Sequence, residues 1–64
     1  MILLVDDNKE ILNGLSFSLK EAGYDIEISS SINEAKDKYI DASLVILDVT
    51  LPDGNGFDFY KNYL

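Results

Sequence analysis

Two short runs of continuous apolar residues stand out along the chain, and aspartate closes each of them. The first is Ile2 to Val5 and the second is Leu44 to Leu47. Apolar runs of this length that contain β-branched residues are typical of strands buried on both faces, as in a parallel sheet. We therefore predict strands at about residues 2–6 and 43–48.

A helical pattern fills the first part of the interval between these runs. One apolar stripe at helical spacing, with Leu12 beside it, consists of Ile11, Leu15, Leu19 and Ala22. Either Asp7 or Asn8 is a suitable N-cap, and Gly23 is a natural stop after the last turn. The pattern predicts a helix at about residues 9–22.

The remaining elements follow from capping and alternation. Ser31 and Glu34 have the spacing of a capping box, which predicts a second helix at about 32–41. Apolar and polar residues alternate over about 24–29, which favours an edge strand with one solvated face. After a loop over 49–55, a third helix is expected at about 57–64.

The element order is therefore β-α-β-α-β followed by the start of a third helix, which is an α/β class. Right-handed crossovers and the edge character of the second strand predict the strand order 2-1-3 in a parallel, doubly wound sheet. That order places a crevice between the first and third strands. Binding sites of open α/β sheets form at such crevices, beyond the carboxyl ends of the strands.

Composition narrows the chemistry available to a chain of 64 residues. It has 12 acidic and 5 basic residues, a net charge of −7, and neither histidine nor cysteine. Disulfides, thiolate zinc sites and imidazole catalysis are excluded. The acid excess argues against binding of nucleic acid through this segment and against anionic membranes. No apolar run is long enough to span a bilayer and no export signal is present, so we expect a cytoplasmic domain.

Carboxylates end both apolar strands. Asp6 and Asp7 follow the first run and Asp48 follows the second. In neighbouring strands the three would converge and repel one another, a conflict that an oxygen-seeking Mg2+ relieves. A carboxylate beside Mg2+ also suits phosphoryl transfer, because aspartate can accept a phosphoryl group covalently. The plainer alternative is that Asp6 and Asp7 only cap the first helix, with Asp48 in solvent.

Two segments closely resemble the receiver domain of two-component response regulators. They are Ile2 to Asn8 and Leu44 to Gly56, joined by a β-α-β-α unit of suitable length. The resemblance covers Met1 to Leu64 but only the N-terminal half of that family's domain. It implies a partial flavodoxin-like fold.

The resemblance also implies roles for individual residues. Asp48 matches the phosphoacceptor, which contributes to the metal site as well. Asp7 matches the direct Mg2+ ligand, and Asp6 matches the neighbour that holds the ion largely through water. Thr50 matches the position whose backbone carbonyl completes the protein ligands. The implied partner is a histidine kinase that donates the phosphoryl group.

The loop after the acceptor matches the family pattern, whereas two phosphoryl-binding residues do not occur in the chain. Pro52 and Gly56 match the positions that shape the loop. The family's Ser/Thr after strand 4 and Lys after strand 5 are missing, and neither Ser43 nor Lys61 is placed to replace them. We expect a truncated phosphoacceptor domain, not an enzyme in its own right, whose phosphorylation is slow or absent.

Two other functions stay open at this level. A phosphatase of the haloacid-dehalogenase type also uses aspartate after an apolar strand, but it needs a second one where Thr50 stands. The other alternative is a structural α/β module without chemistry. In a truncated receiver domain the apolar third strand would lie at an open edge, so we predict a homo-oligomer formed through that edge or through uncovered helix faces.

Overall fold

A computed structural model describes residues 1–64, which form a three-stranded sheet with helices on both faces. In chain order the elements are β1 (Ile2–Val5), α1 (Lys9–Glu21), β2 (Ile26–Ser29), α2 (Ile32–Ala35), a 3-10 turn (Tyr39–Asp41), β3 (Leu44–Leu47), β4 (Thr50–Leu51), β5 (Gly54–Asn55) and α3 (Gly56–Tyr63). None of the helices is long and apolar enough to cross a membrane.

The sheet has the predicted topology. Its three strands are parallel in the order β2-β1-β3, so β1 is central and β2 lies at an edge. The register places Ile2 opposite Ile26 on one side and Leu44 on the other. Each strand is shorter than predicted by one or two residues at one or both ends, because the flanking residues already belong to turns and loops.

Side chains of the central strand alternate between two apolar clusters. On the α1 face the buried residues are Leu4, Leu12 and Ile26. On the opposite face, under α2 and α3, they are Leu3, Val5, Ala35, Leu51 and Phe59. Because β1 is covered on both faces, its sequence is continuously apolar, as a buried parallel strand requires.

The side of α1 that faces the sheet is centred on Leu12 and not on the predicted apolar stripe. Leu12 is buried, whereas Ile11 and Leu15 are 45% and 42% exposed. The reason is that α1 lies over β1 and β2 and leaves β3 uncovered on that face. Leu44 and Ile46 of β3 are exposed there as well.

The predicted helix over 32–41 is wrong in its second half. The α-helix ends at Ala35, and the chain continues through tighter turns into the 3-10 turn Tyr39–Asp41. The amide of Lys38 donates to the Ala35 carbonyl, only three residues back, at 3.1 Å. Its ammonium group reaches the Ile28 carbonyl at 2.7 Å, which ties the turn to β2.

Aromatic packing explains why the chain leaves the helix there. The ring of Tyr39 meets Phe59 edge-on at a centroid distance of 5.8 Å and Tyr63 at 5.7 Å. Both partners belong to α3, more than a dozen residues away. Edge-to-face aromatic contacts stabilise by about 0.5–1.5 kcal/mol beyond area burial, and they bind this turn to α3.

The predicted loop over 49–55 contains a small antiparallel hairpin. Thr50 pairs with Asn55 and Leu51 with Gly54, leaving Pro52 and Asp53 at the tip. Leu51 is buried in the core cluster under α2 and α3, which anchors the hairpin to the sheet.

Candidate functional site

The carboxyl ends of β1 and β3 lie side by side, and aspartates occupy both. The Asp48 amide donates to the Val5 carbonyl at 2.9 Å, and the Asp6 amide donates to the Ser29 carbonyl at 3.1 Å. These bonds continue the parallel ladder by one residue beyond the strands. The sheet therefore holds the amide nitrogen of each residue in place.

Three carboxylates come together at this end of the sheet. One oxygen from each of Asp6, Asp7 and Asp48 lies within 4.8 Å of the other two. Asp6 and Asp48 are half-buried, whereas Asp7 is exposed. The convergence predicted from the strand order is present.

Local backbone contacts orient two of these side chains. The Asn8 amide donates to Asp6 Oδ1 at 2.9 Å, and the Val49 amide donates to Asp48 Oδ1 at 2.8 Å. Each of the two carboxylates thus keeps a second oxygen for other partners.

The cap of α1 is Asn8. Its side-chain oxygen accepts hydrogen bonds from the amides of Glu10 at 3.0 Å and Ile11 at 3.2 Å. Asp7 is therefore not needed as the cap and belongs to the carboxylate cluster instead. The plainer view of Asp6 and Asp7 as capping residues does not describe this helix start.

No lysine neutralises the cluster. The ion pair in the structure joins Lys38 to Glu27 at 4.0 Å, away from the three aspartates. Carboxylates held this close repel one another, and a hard divalent cation with oxygen ligands reduces that repulsion. The donor set, which is oxygen only, fits Mg2+ better than a metal that prefers nitrogen or sulfur.

Thr50 and Gly56 lie on the segment that follows Asp48. Thr50 is exposed and starts the hairpin, where it pairs with Asn55. The Gly56 amide donates to the Val49 carbonyl at 2.6 Å. A Cβ on Gly56 would collide with the Asp48 carbonyl group, so the return of the hairpin past Asp48 requires glycine.

Sequence reasoning missed the role of Asp53 in this loop. Its Oδ1 accepts from the Ile32 amide at 2.8 Å and its Oδ2 from the Asn33 amide at 2.9 Å. The hydrogen bond from Ile32, followed by that from Asn33, holds the pKa of the Asp53 carboxyl below its ordinary value of 3.8. Asp-Gly in the sequence indicated only a turn, and no local signal identifies a partner 21 residues away.

An apolar groove borders Asp48. It has a volume of about 230 Å³, and Asp48 is one of the residues that line it. Its apolar side chains come from the end of β3, from the residues just after it and from α3: Leu47, Val49, Phe57 and Tyr60.

Fold and site together define a flavodoxin-like α/β domain with an acidic cluster at the crevice between β1 and β3. Comparison with known proteins is consistent with this class. The family pattern of the response regulator receiver domain matches residues 2–63. The chain belongs to that family.

Individual relatives agree. The transcriptional regulatory protein VxrB of Vibrio cholerae is 46% identical over 54 residues, covering 84% of this chain and 22% of that protein. The regulatory protein VanRB of Enterococcus faecalis is 38% identical over 64 residues, covering 97% of this chain and 29% of that protein. The chain thus spans less than a third of the length of either regulator.

A solved structure matches the fold closely. The non-phosphorylated HemR receiver domain from Leptospira biflexa superimposes with a TM-score of 0.89 at 40% sequence identity. The match covers 94% of this chain and 50% of that chain. The prediction of a partial receiver domain with strand order 2-1-3 is confirmed.

Proposed function

We propose that Asp48 is the phosphoacceptor of a two-component response regulator and receives its phosphoryl group from a phosphohistidine of a histidine kinase in the cytoplasm. The observation that carries this proposal is the convergence of Asp6, Asp7 and Asp48 within 4.8 Å at the carboxyl ends of neighbouring strands. Membership of the receiver family supports it.

The position of Asp48 suits nucleophilic attack. One of its carboxylate oxygens accepts the Val49 amide, which orients the side chain and leaves the second oxygen as the nucleophile. In the transfer, that oxygen forms a bond to phosphorus while the phosphorus–nitrogen bond of the donor breaks. The imidazole takes the electron pair and then a proton, and the product is an aspartyl phosphate.

The other acids serve the same reaction by holding a divalent cation. In this proposal Asp7 and Asp48 bind Mg2+ directly, Asp6 binds largely through water, and the Thr50 backbone carbonyl completes the protein ligands. When bound, Mg2+ supplies positive charge at the phosphoryl oxygens. Asp6 and Asp48 are prepared for this by their amide contacts, which set the direction of each carboxylate.

The domain acts as a switch component and not as an enzyme with a separate substrate. A phosphatase of the haloacid-dehalogenase type would need a carboxylate where Thr50 stands, and no comparison supports it. The family's phosphoryl-binding Ser/Thr and Lys do not occur at strand ends within these 64 residues. We therefore expect this chain to bind Mg2+ but to be labelled slowly at Asp48.

Calorimetric titration with Mg2+ tests the metal site. A divalent cation and a carboxylate about 4 Å apart attract each other by about 2 kcal/mol in water. Asp7→Asn and Asp48→Asn should therefore weaken Mg2+ binding roughly 10- to 30-fold. Asp25→Asn is a matched control, because Asp25 lies at the opposite end of β1, where its carbonyl accepts the Ile2 amide. Equal affinities in all four proteins would contradict the site.

Labelling with phosphoramidate tests the acceptor, because this donor contains the same phosphorus–nitrogen bond as phosphohistidine. We expect slow, Mg2+-dependent addition of one phosphoryl group, visible by mass spectrometry and removed by hydroxylamine. Asp48→Asn should abolish it and Asp25→Asn should not. Hydroxylamine-labile labelling that persists in Asp48→Asn would refute the assignment.

We also propose that the chain self-associates through the outer edge of β3. That edge has no neighbouring strand, and the α1 face beside it exposes Leu44 at 53% and Ile46 at 42%. Unpaired backbone groups next to apolar side chains favour strand pairing between molecules.

Sedimentation velocity at micromolar concentration tests this association. Ile46→Lys should shift the protein toward monomer. Ile40→Lys should not, although Ile40 is 76% exposed, because it lies in the 3-10 turn and not on β3. A folded monomer in the unmodified protein would rule out the proposal.

A further inference from the structure

The Asp53 carboxylate joins the hairpin to the start of α2 through hydrogen bonds to both of its oxygens. Its two carboxylate oxygens accept the amides of Ile32 and Asn33 at 2.8 and 2.9 Å. Amides in the first turn of a helix have no acceptor within the helix, and a carboxylate bonded to two of them forms charge-assisted hydrogen bonds. Two bonds to one planar group fix its direction as well as its distance.

Residues next to Asp53 also pack tightly where the hairpin meets α2. Gly54 packs so closely on α2 that a Cβ there would lie 2.6 Å from Ile32 Cδ1. Leu51, on the other side of the tip, is buried in the core. The tip of the hairpin is therefore held on both sides.

The first strand of this hairpin begins two residues after Asp48, one of the three clustered aspartates. The Gly56 amide bonds to the Val49 carbonyl at 2.6 Å, and the Gly56 Cα faces the Asp48 carbonyl group without room for a side chain. Only two residues, Val49 and Thr50, separate Asp48 from Leu51 in the chain. A movement of the tip would thus be transmitted to Asp48 and Thr50 through a short, tightly paired segment.

The start of α2 is in turn connected to Asp6 through the end of β2. Two residues separate helix α2 from β2, and the last residue of β2, Ser29, accepts the Asp6 amide at 3.1 Å. The Asp53 side chain thus links the hairpin that follows Asp48 to α2, and α2 is linked through β2 to Asp6.

We propose that Asp53 is a positioning residue for the acidic cluster: by tying the hairpin tip to α2, it holds the Asp48–Thr50 backbone at the distance from Asp6 and Asp7 that divalent-cation binding needs. This inference rests on the proposed function, since it concerns the same cation site. Asp53 itself does not contact the cation.

A helix cap with no further role would give a different pattern, and Ser31→Ala provides that comparison. Ser31 caps the same helix, accepting the Glu34 amide at 3.2 Å, but no hydrogen bond joins it to the hairpin. Asp53→Ala and Ser31→Ala should both lower the melting temperature. Only Asp53→Ala should weaken Mg2+ binding, by roughly tenfold, as is typical when a group that orients metal ligands is lost.

Asp53→Asn separates geometry from charge. Asparagine keeps one side-chain oxygen for the Ile32 amide but removes the negative charge, as alanine does. We expect Mg2+ affinity between that of the unmodified protein and that of Asp53→Ala. Equal losses in the Asn and Ala variants would show a charge effect alone and overturn the proposal. The Asn variant also keeps the test valid if Asp53→Ala does not fold.

Hydrogen exchange of the Gly56 amide, followed by NMR without metal, reports on the hairpin directly. Exchange should be faster in Asp53→Ala than in Ser31→Ala, and equal rates would overturn the positioning role. The failure of the proposed function looks different: Mg2+ affinity would then be insensitive to Asp7→Asn, whatever Gly56 exchange shows.

Discussion

Gly56→Ala is the substitution that most directly tests how the hairpin returns past Asp48. A Cβ at this position would lie 3.0 Å from the Asp48 carbonyl carbon and 3.1 Å from Val49 Cα, with the Asp48 carbonyl oxygen closer still. Ordinary contacts between carbon atoms are about 3.5–4.0 Å. Every atom that it meets is backbone, so no side chain can rotate away.

The expected loss of stability has two sources, a forced shift of the backbone and a stretched hydrogen bond. Overpacking that forces backbone to shift costs about 1–3 kcal/mol. The same shift stretches the hydrogen bond from the Gly56 amide to the Val49 carbonyl, and losing a bond of this kind costs about 0.5–1.5 kcal/mol. We therefore expect the free energy of unfolding to fall by about 2–4 kcal/mol.

Gly14→Ala is the matched control, since a Cβ there meets nothing within 4 Å. Gly14 lies inside α1, where alanine stabilises a helix by about 0.8–1.0 kcal/mol relative to glycine. The same chemical change should therefore have opposite signs at the two sites.

Urea unfolding followed by circular dichroism, at one fixed protein concentration, measures both effects. A chain of this size is expected to have a stability of only about 3–10 kcal/mol, so Gly56→Ala is best introduced into the Gly14→Ala protein. Unchanged stability after Gly56→Ala would refute the close approach of the hairpin to Asp48. Mg2+ affinity should fall in the same variant, because the Asp48 backbone must move.

Two further predictions concern local contacts. Asn8→Ala removes both amide contacts of the α1 cap and should lower the free energy of unfolding by about 1 kcal/mol, whereas Asn13→Ala, at an exposed position within the helix, should not; equal effects in urea unfolding would contradict the cap. The lowered pKa of Asp53 means that its ionised form stabilises the fold above its unfolded value near 3.8, and that this contribution is lost as the pH falls through the folded pKa. The difference in melting temperature between the unmodified protein and Asp53→Asn should therefore shrink below that pH, and a difference that is constant into strong acid would argue against the contact.

Much of the candidate site could be predicted because its residues follow directly from strand ends. A short apolar run closed by aspartate, such as Ile2–Val5, is typical of a strand buried on both faces, and the residue after such a strand emerges at the carboxyl edge of the sheet. Asp6, Asp7 and Asp48 were therefore placed correctly once the order 2-1-3 was inferred.

Contacts between distant segments could not be predicted in this way. The pattern from Ile32 to Asp41 is helical by spacing and capping, yet the α-helix stops at Ala35, and Tyr39 turns toward the rings of α3. The outcome depends on tertiary packing that no window of ten residues contains. The same holds for α1, whose buried side depends on which strands it crosses.

What the sequence by itself determined is the three parallel strands with their order, the position of α1 and the carboxylates at the sheet edge, because hydrophobic periodicity, caps and strand ends can be recognised in short segments of the chain. Only the tertiary structure decided that Asn8 rather than Asp7 caps α1, and that Gly56 passes against the Asp48 carbonyl group. It also decided that Asp53 reaches Ile32, 21 residues away. Such contacts depend on three-dimensional proximity between segments, which arises only when the sheet and its helices are assembled.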